Sequence, residues 1–253
     1  MVVAPAEQAV AQYALRLGDD ALVLGQRLCE WCAFAPILEE DIAIANVGLD
    51  YFGRARMALQ YAGSLLGKSE DELAFLRDAN AFTNLLMVEL PIGDFAFSMV
   101  RHYLLDEFET LFFAQLARSE DATLAAIAAK SNKEVAYHLR RSRQWMRRLA
   151  LGTGESKQRT QRAVDELWGY VDELFAMDEL EQSLVAQGIA VDRATLKAAW
   201  HQKVTELFAE LAIELPGQDW QVSGGRQGVH TEHLGRMLSE MQFLQRAYPG
   251  LEW

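Results

Sequence analysis

Glu134 and His138 stand four apart in the stretch Lys130 to Arg143, KSNKEVAYHLRRSR. A carboxylate beside an imidazole on one helix is a natural pair of iron ligands. The pattern that builds a di-iron centre inside a helical bundle takes a Glu from each of two helices and a Glu-x-x-His from each of the other two, all facing inward. Here the residue three before His138 is Val135, and Glu134 is one position away from the required register. Three further acids fall inside long apolar stretches and complete the candidate set: Glu30, Asp50 and Asp106. The second stretch should supply its own Glu-x-x-His, but it reads Asp50-Tyr51-Phe52-Gly53. With Val135 and Gly53 in these places, a carboxylate and an imidazole are missing, which leaves too few hard donors for two ferrous ions.

Other chemistry-bearing motifs are weaker. Cys29 and Cys32 form a lone C-x-x-C with no second pair and no alternating strand pattern beside it, so it reads as two small buried residues. Arg140, Arg141, Arg143, Arg147 and Arg148 make a basic run in an acidic chain. Guanidinium groups present paired donors to phosphate, although such a run more commonly forms ion pairs on a solvated helix face. SGGRQG, residues 223–228, lacks both the Lys-Ser/Thr ending and the preceding strand of a phosphate loop and reads as a flexible loop. His230 and His233 in GVHTEHLG lack a second ligand cluster, and Thr231 between them suits a helix cap. His102 and His201 carry no partner signal.

The elements that must position these residues are helices. Apolar spacing and breakers predict helices over Leu15–Ala35, Leu38–Leu66, Glu70–Asp78, Phe82–Leu90, Phe95–Leu116, Ala122–Leu151, Gln158–Phe175, Glu179–Val185, Arg193–Ile213 and Thr231–Ala247. In the second, the stripe Ile42, Ala45, Leu49, Phe52, Arg56 and Leu59 is taken as the inward face. Phe95–Leu116 is apolar on nearly every side, as a central helix should be. No strand pattern, repeat or linker emerges. The reading is one all-α domain over residues 1–253, with a core bundle at about 15–152 and additional helices at about 155–253.

Composition agrees. A chain of 253 residues that is 51% hydrophobic can bury a large core, and only 5 prolines interrupt it. A net charge of −12 argues against nucleic acid as a partner. No apolar run spans a bilayer, and the N-terminal stretch lacks the form of an export signal, which points to the cytoplasm.

Five blocks then carry a resemblance: LRLGDDALVLGQRLCEWCAFAP, ANVGLDYFGRARMAL, FTNLLMVELPIGDFA, KEVAYHLRRSRQWMRRL and GGRQGVHTEHLGRMLSEMQFLQR. Together they run from about Leu15 to the end, and the chain resembles the C subunits of the bacterial 1,2-phenylacetyl-CoA epoxidases of aerobic phenylacetate degradation. The resemblance implies a ferritin-like four-helix bundle with additional C-terminal helices. It implies a structural subunit without its own cofactor, a relative of the di-iron A subunit that performs the oxygen chemistry. Reductase and accessory subunits complete such a system, whose product is a ring epoxide. Contact of this chain with phenylacetyl-CoA at a subunit boundary, through the phosphates of CoA and the five arginines, and self-association are further expectations. Trp145, Trp168, Tyr170 and Trp200 are candidate interface anchors, though aromatic residues at helical spacing more often face the core. The alternative from a different class is a metal-dependent oxidoreductase using a reduced site of Glu30, Asp50, Asp106, Glu134 and His138.

Overall fold

The computed structural model describes residues 5–217 and 220–251; the first four residues of the stretch read for an export signal lie outside it. In chain order the α-helices are α1 (Pro5–Cys29), α2 (Leu38–Leu66), α3 (Glu70–Phe75), α4 (Leu86–Glu89), α5 (Phe95–Leu116), α6 (Ala122–Ala150), α7 (Gly154–Trp168), α8 (Glu179–Val185), α9 (Lys197–Leu211), α10 (Glu232–Met241) and α11 (Phe243–Ala247). Among the described residues there is no strand, so the all-α expectation is borne out. The chain divides into two compact units, Met1–Pro91 with Ser223–Trp253, and Ile92–Val222.

The first unit is built on the α1–α2 hairpin. Small residues let the two helices approach closely: an added Cβ on Gly25 would lie 3.2 Å from the Phe52 ring, and one on Gly18 would press into the Leu59 side chain. α1 stops at Cys29, short of the predicted Ala35, and the chain turns through Ala33 at φ +70. The left-handed region costs a non-glycine residue roughly 1–2 kcal/mol, and the Asp41 carboxylate holds the turn by accepting the Ala33 N–H. Cys32 is therefore exposed and Cys29 only half-buried; the expectation that both are buried fails because the helix ends between them.

The inward face of α2 also differs from the predicted one. Its buried positions include Ile44, Val47, Gly48, Tyr51, Arg54, Ala55, Ala58 and Leu59, whereas Ile42 and Leu49 are exposed. Two apolar stripes share this helix, and spacing alone cannot say which one meets α1. Of the predicted helix Phe82–Leu90, only the single turn of α4 forms.

In the second unit, α5 and α6 form the central hairpin, with α7 and α9 also packed on α5. α5 is buried along most of its length, as its composition predicts. Each helix begins at an acid that caps it: Asp94 accepts from Phe97 N, and Asp121 accepts from Thr123 N and Leu124 N. Of the aromatic candidates, Trp200 is fully buried and donates to the Leu104 carbonyl at 3.0 Å. Trp168 packs against it, and Trp145 meets the edge of Phe95.

Candidate functional site

The candidate ligands fall in both units, and each group is described within its own. In the first unit, Glu30 lies beyond the end of α1, where its carboxylate takes the Arg27 guanidinium at 2.5 Å. Asp50 and Gly53 are half-exposed on α2, and a Cβ added at Gly53 would meet nothing within 4 Å. The inward polar residues of this hairpin are instead Arg16, Asp19, Arg27, Tyr51 and Arg54. Sequence gives no signal for them, because arginine on a helix is normally a solvated residue.

A circuit of buried charges joins distant parts of this unit. Asp19 is fully buried; it pairs with Arg77 and accepts from Thr83 N and Oγ1 at 2.9 and 3.0 Å. Asp20 takes the Arg226 guanidinium at 2.7 and 3.0 Å and also Leu85 N at 2.7 Å. Arg27 donates to the carbonyls of Glu89 and His233. SGGRQG is thus a pinned turn, contrary to the flexible loop its composition suggests. Its last residue, Gly228, takes the left-handed conformation at φ +73, against the Asn80 carbonyl.

Glu89 is the centre of this circuit. Its buried carboxylate accepts from Thr231 N at 2.6 Å and Asn84 Nδ2 at 2.8 Å, and it meets His230 Nδ1 at 2.7 Å. His230 Nε2 faces the Phe82 carbonyl at 2.9 Å, so that nitrogen carries a proton. Burial disfavours the charged imidazole. The hydrogen bonds to Glu89 and Phe82 and the charges of Glu89 and Asp19 outweigh it, and the His230 pKa is raised. Thr231 caps α10 by accepting from His233 N, as its position predicts.

In the second unit, α6 buries Ser131, Val135, His138 and Ser142 on one face, spaced four, three and four apart. Val135 therefore shares the buried face with His138, at the place where a ligand helix carries its carboxylate. Glu134 flanks that face, with one carboxylate oxygen buried and the other 3.9 Å from Lys130. The two serines bond to carbonyls of their own helix. From α5 come Arg101, His102, Asp106 and Glu107, all buried. His102, to which the sequence assigns no role, belongs to this cluster. Burial, then the charges of Arg101 and Arg141 and the neighbouring His138, hold its pKa well below the ordinary imidazole range.

The α5–α6 hairpin sets the guanidinium groups of Arg101 and Arg141 beside the imidazoles of His102 and His138, and of its buried carboxylates Glu107 is taken by Arg143. Among the described residues, no group of three or more His, Cys, Asp or Glu side chains is placed to hold a metal. Such a donor set does not fit a di-iron centre. The five arginines of α6 do not converge on one point. Arg143 pairs with Glu107 at 2.5 Å, and Arg147 makes a two-pronged contact with Glu210 at 2.7 and 2.9 Å. Arg148 and Arg140 lie over the rings of Trp145 and Tyr137, while Arg141 is half-buried near His102.

No helix among the described residues is long and apolar enough to cross a membrane. The chain is 50% identical over 242 residues to the C subunit of the 1,2-phenylacetyl-CoA epoxidase of Escherichia coli (strain K12), a match covering 95% of this chain and 98% of that relative. The resemblance carried by the five sequence blocks is thereby borne out. The family described as phenylacetic acid catabolic protein matches residues 2–253, and the chain belongs to that family, with its all-α, ferritin-like fold.

Proposed function

We propose that the chain is a structural, non-catalytic subunit of a phenylacetyl-CoA ring 1,2-epoxidase, supporting a di-iron catalytic subunit in the cytoplasm. The observation that carries this reading is the buried face of α6, where Val135 shares the face with His138 and His102 is held neutral by burial and by the charges of Arg101 and Arg141. A face of that composition supports packing and does not favour retention of a divalent ion. The identity to the C subunit of an epoxidase supplies the enzyme context. Residues 1–253 then act as one ferritin-like subunit without its own cofactor. Its partners are the catalytic A subunit and the reductase and accessory subunits. The exposed Arg140 and Arg148 are the members of the basic run best placed to meet CoA phosphates at a subunit boundary.

Co-expression with the catalytic subunit, followed by size measurement, metal analysis of each chain and an oxygen-dependent epoxidation assay, tests the reading. The expected result is a stable complex whose iron stays with the catalytic subunit when the chains are separated. Stoichiometric iron in this chain would instead establish the oxidoreductase reading. His138→Ala should leave epoxidation by the assembled complex within about twofold of the wild type once folded protein is matched. Loss of an iron ligand would remove the interaction that drives the reaction and abolish turnover.

A further inference from the structure

The outer face of α2 carries apolar side chains that the described residues leave largely exposed. Leu38, Ile42 and Leu49 are exposed by 71, 55 and 64%, and Phe34 in the preceding turn by 76%. Along the helix the stripe runs Leu38, Ile42, Ala45, Leu49, Gly53, with steps of four, three, four and four. That is the spacing of a seam against another helix, and it lies opposite the buried set that already packs on α1. At Gly53 the stripe has a hollow, because a Cβ there meets nothing within 4 Å. A knob from a facing helix fits such a hollow.

The exposed area also calls for a cover. These side chains present several hundred Å² of apolar surface, on the order of the largest patch that a monomer ordinarily leaves in water, and a sizeable part of the roughly 800 Å² that each partner contributes to a stable interface.

Charge around the stripe selects the occupant. Glu39 and Asp50 flank one side and Asp41 the other, while the cation at the end of the stripe, Arg56, is held by Glu70 at 3.0 Å. A second copy would therefore set acids against acids in a chain of net charge −12, and like charges in apposition disfavour a complex. We propose that this face docks a helix of the catalytic subunit, one that offers an apolar seam bordered by lysine or arginine. The proposal rests on the function proposed above and assigns the surface through which that function is exercised.

The test compares wild type, Leu49→Arg and Gly53→Leu, as full chains, for binding to the purified catalytic subunit and for epoxidation by the mixture. Leu49 is exposed and a Cβ at Gly53 meets nothing within 4 Å, so both variants should keep the wild-type circular dichroism and melting temperature. Each should bind at least tenfold more weakly, with epoxidation restored at high variant concentration. Affinities within twofold of wild type for both variants would overturn the assigned surface and leave the proposed function standing. Wild type that forms no complex with the catalytic subunit would overturn both. If sedimentation instead shows a wild-type dimer that Leu49→Arg dissociates, while binding to the catalytic subunit is unchanged, the occupant is a second copy and the proposal fails.

Discussion

His230 in the first unit and His102 in the second are both buried imidazoles, yet their surroundings drive them in opposite directions. His230 is one contact in a circuit in which Glu89, Asn84, Thr231 and Phe82 each supply a defined partner, and its pKa is raised. His102 lies among Arg101, Arg141 and His138, and it is held neutral. The buried charges of the first unit join segments far apart in sequence, whose irregular backbone would otherwise be left without hydrogen-bond partners. Those around His102 lie on the regular helices α5 and α6, which need no such help, although elsewhere in the second unit Arg193, paired with Glu181, does serve the carbonyls of Leu174 and Ala176. The first group is explained by folding, whereas the second is a polar cluster inside a helical hairpin, which is where the proposed function places the outline of a ligand site.

The strongest way to break this contrast is Glu89→Ala. It leaves His230, Asn84 and the Thr231 N–H facing an apolar methyl, and removal of one partner from a buried ion pair costs about 3–5 kcal/mol. Urea unfolding should show a loss of that size. A loss below about 1 kcal/mol would mean that the circuit behaves like a surface pair. Gly228→Ala acts on the same region through the backbone. It places a side chain in the left-handed region and against the Asn80 carbonyl, for a cost of about 1–3 kcal/mol. Amide exchange should report the loss first in 223–233 and in the segment around Phe82.

The two imidazoles also predict opposite responses to pH. His230 binds its proton more tightly when folded, so its contribution is complete below the unfolded value near 6.5 and is lost as pH rises through its raised folded value. Folding makes His102 a weaker base, so its neutral state favours the fold above about 6.5, and that contribution is lost as pH falls toward its depressed folded value. Histidine NMR titration should show His230 protonated above the range of a free imidazole and His102 neutral well below it. Stability curves of His230→Gln and His102→Gln should then depart from wild type with opposite pH slopes. Parallel slopes would remove the distinction between the units.

Much of this is legible in the sequence, for reasons that differ by element. α2, α5 and α8 match their predicted bounds, because continuous helical spacing and firm breakers fix their ends. Phe82–Leu90 has the spacing of a helix without forming one, since its apolar residues are buried around a mostly irregular chain that Asp19, Asp20 and His230 hold from a distance. Val135 is visible in the sequence as a departure from the Glu-x-x-His spacing. Arg54, Arg101 and His102 are not, because a polar residue inside a helix announces burial only once its neighbours are known. The inner face of α2 is ambiguous in sequence because the helix carries two apolar stripes, and the predicted stripe begins on the outer one at Ile42 and Leu49 and ends on the inner one at Leu59.

Gly53→Ala gives the smallest effect and the most direct check on those two faces. On a helix, alanine is favoured over glycine by roughly 0.5–1 kcal/mol when the added methyl meets nothing. The surroundings of Gly53 are open, so the variant should be more stable by that amount in urea unfolding. The same substitution at Gly18, on the partner helix of the hairpin, forces a methyl against Leu59 and should destabilise. Two Gly→Ala changes in one hairpin thus carry opposite signs. If Gly53→Ala destabilised the isolated chain, the outer face of α2 would already be covered by this chain's own residues. Its exposed stripe could not then distinguish the first unit as the one that faces a partner.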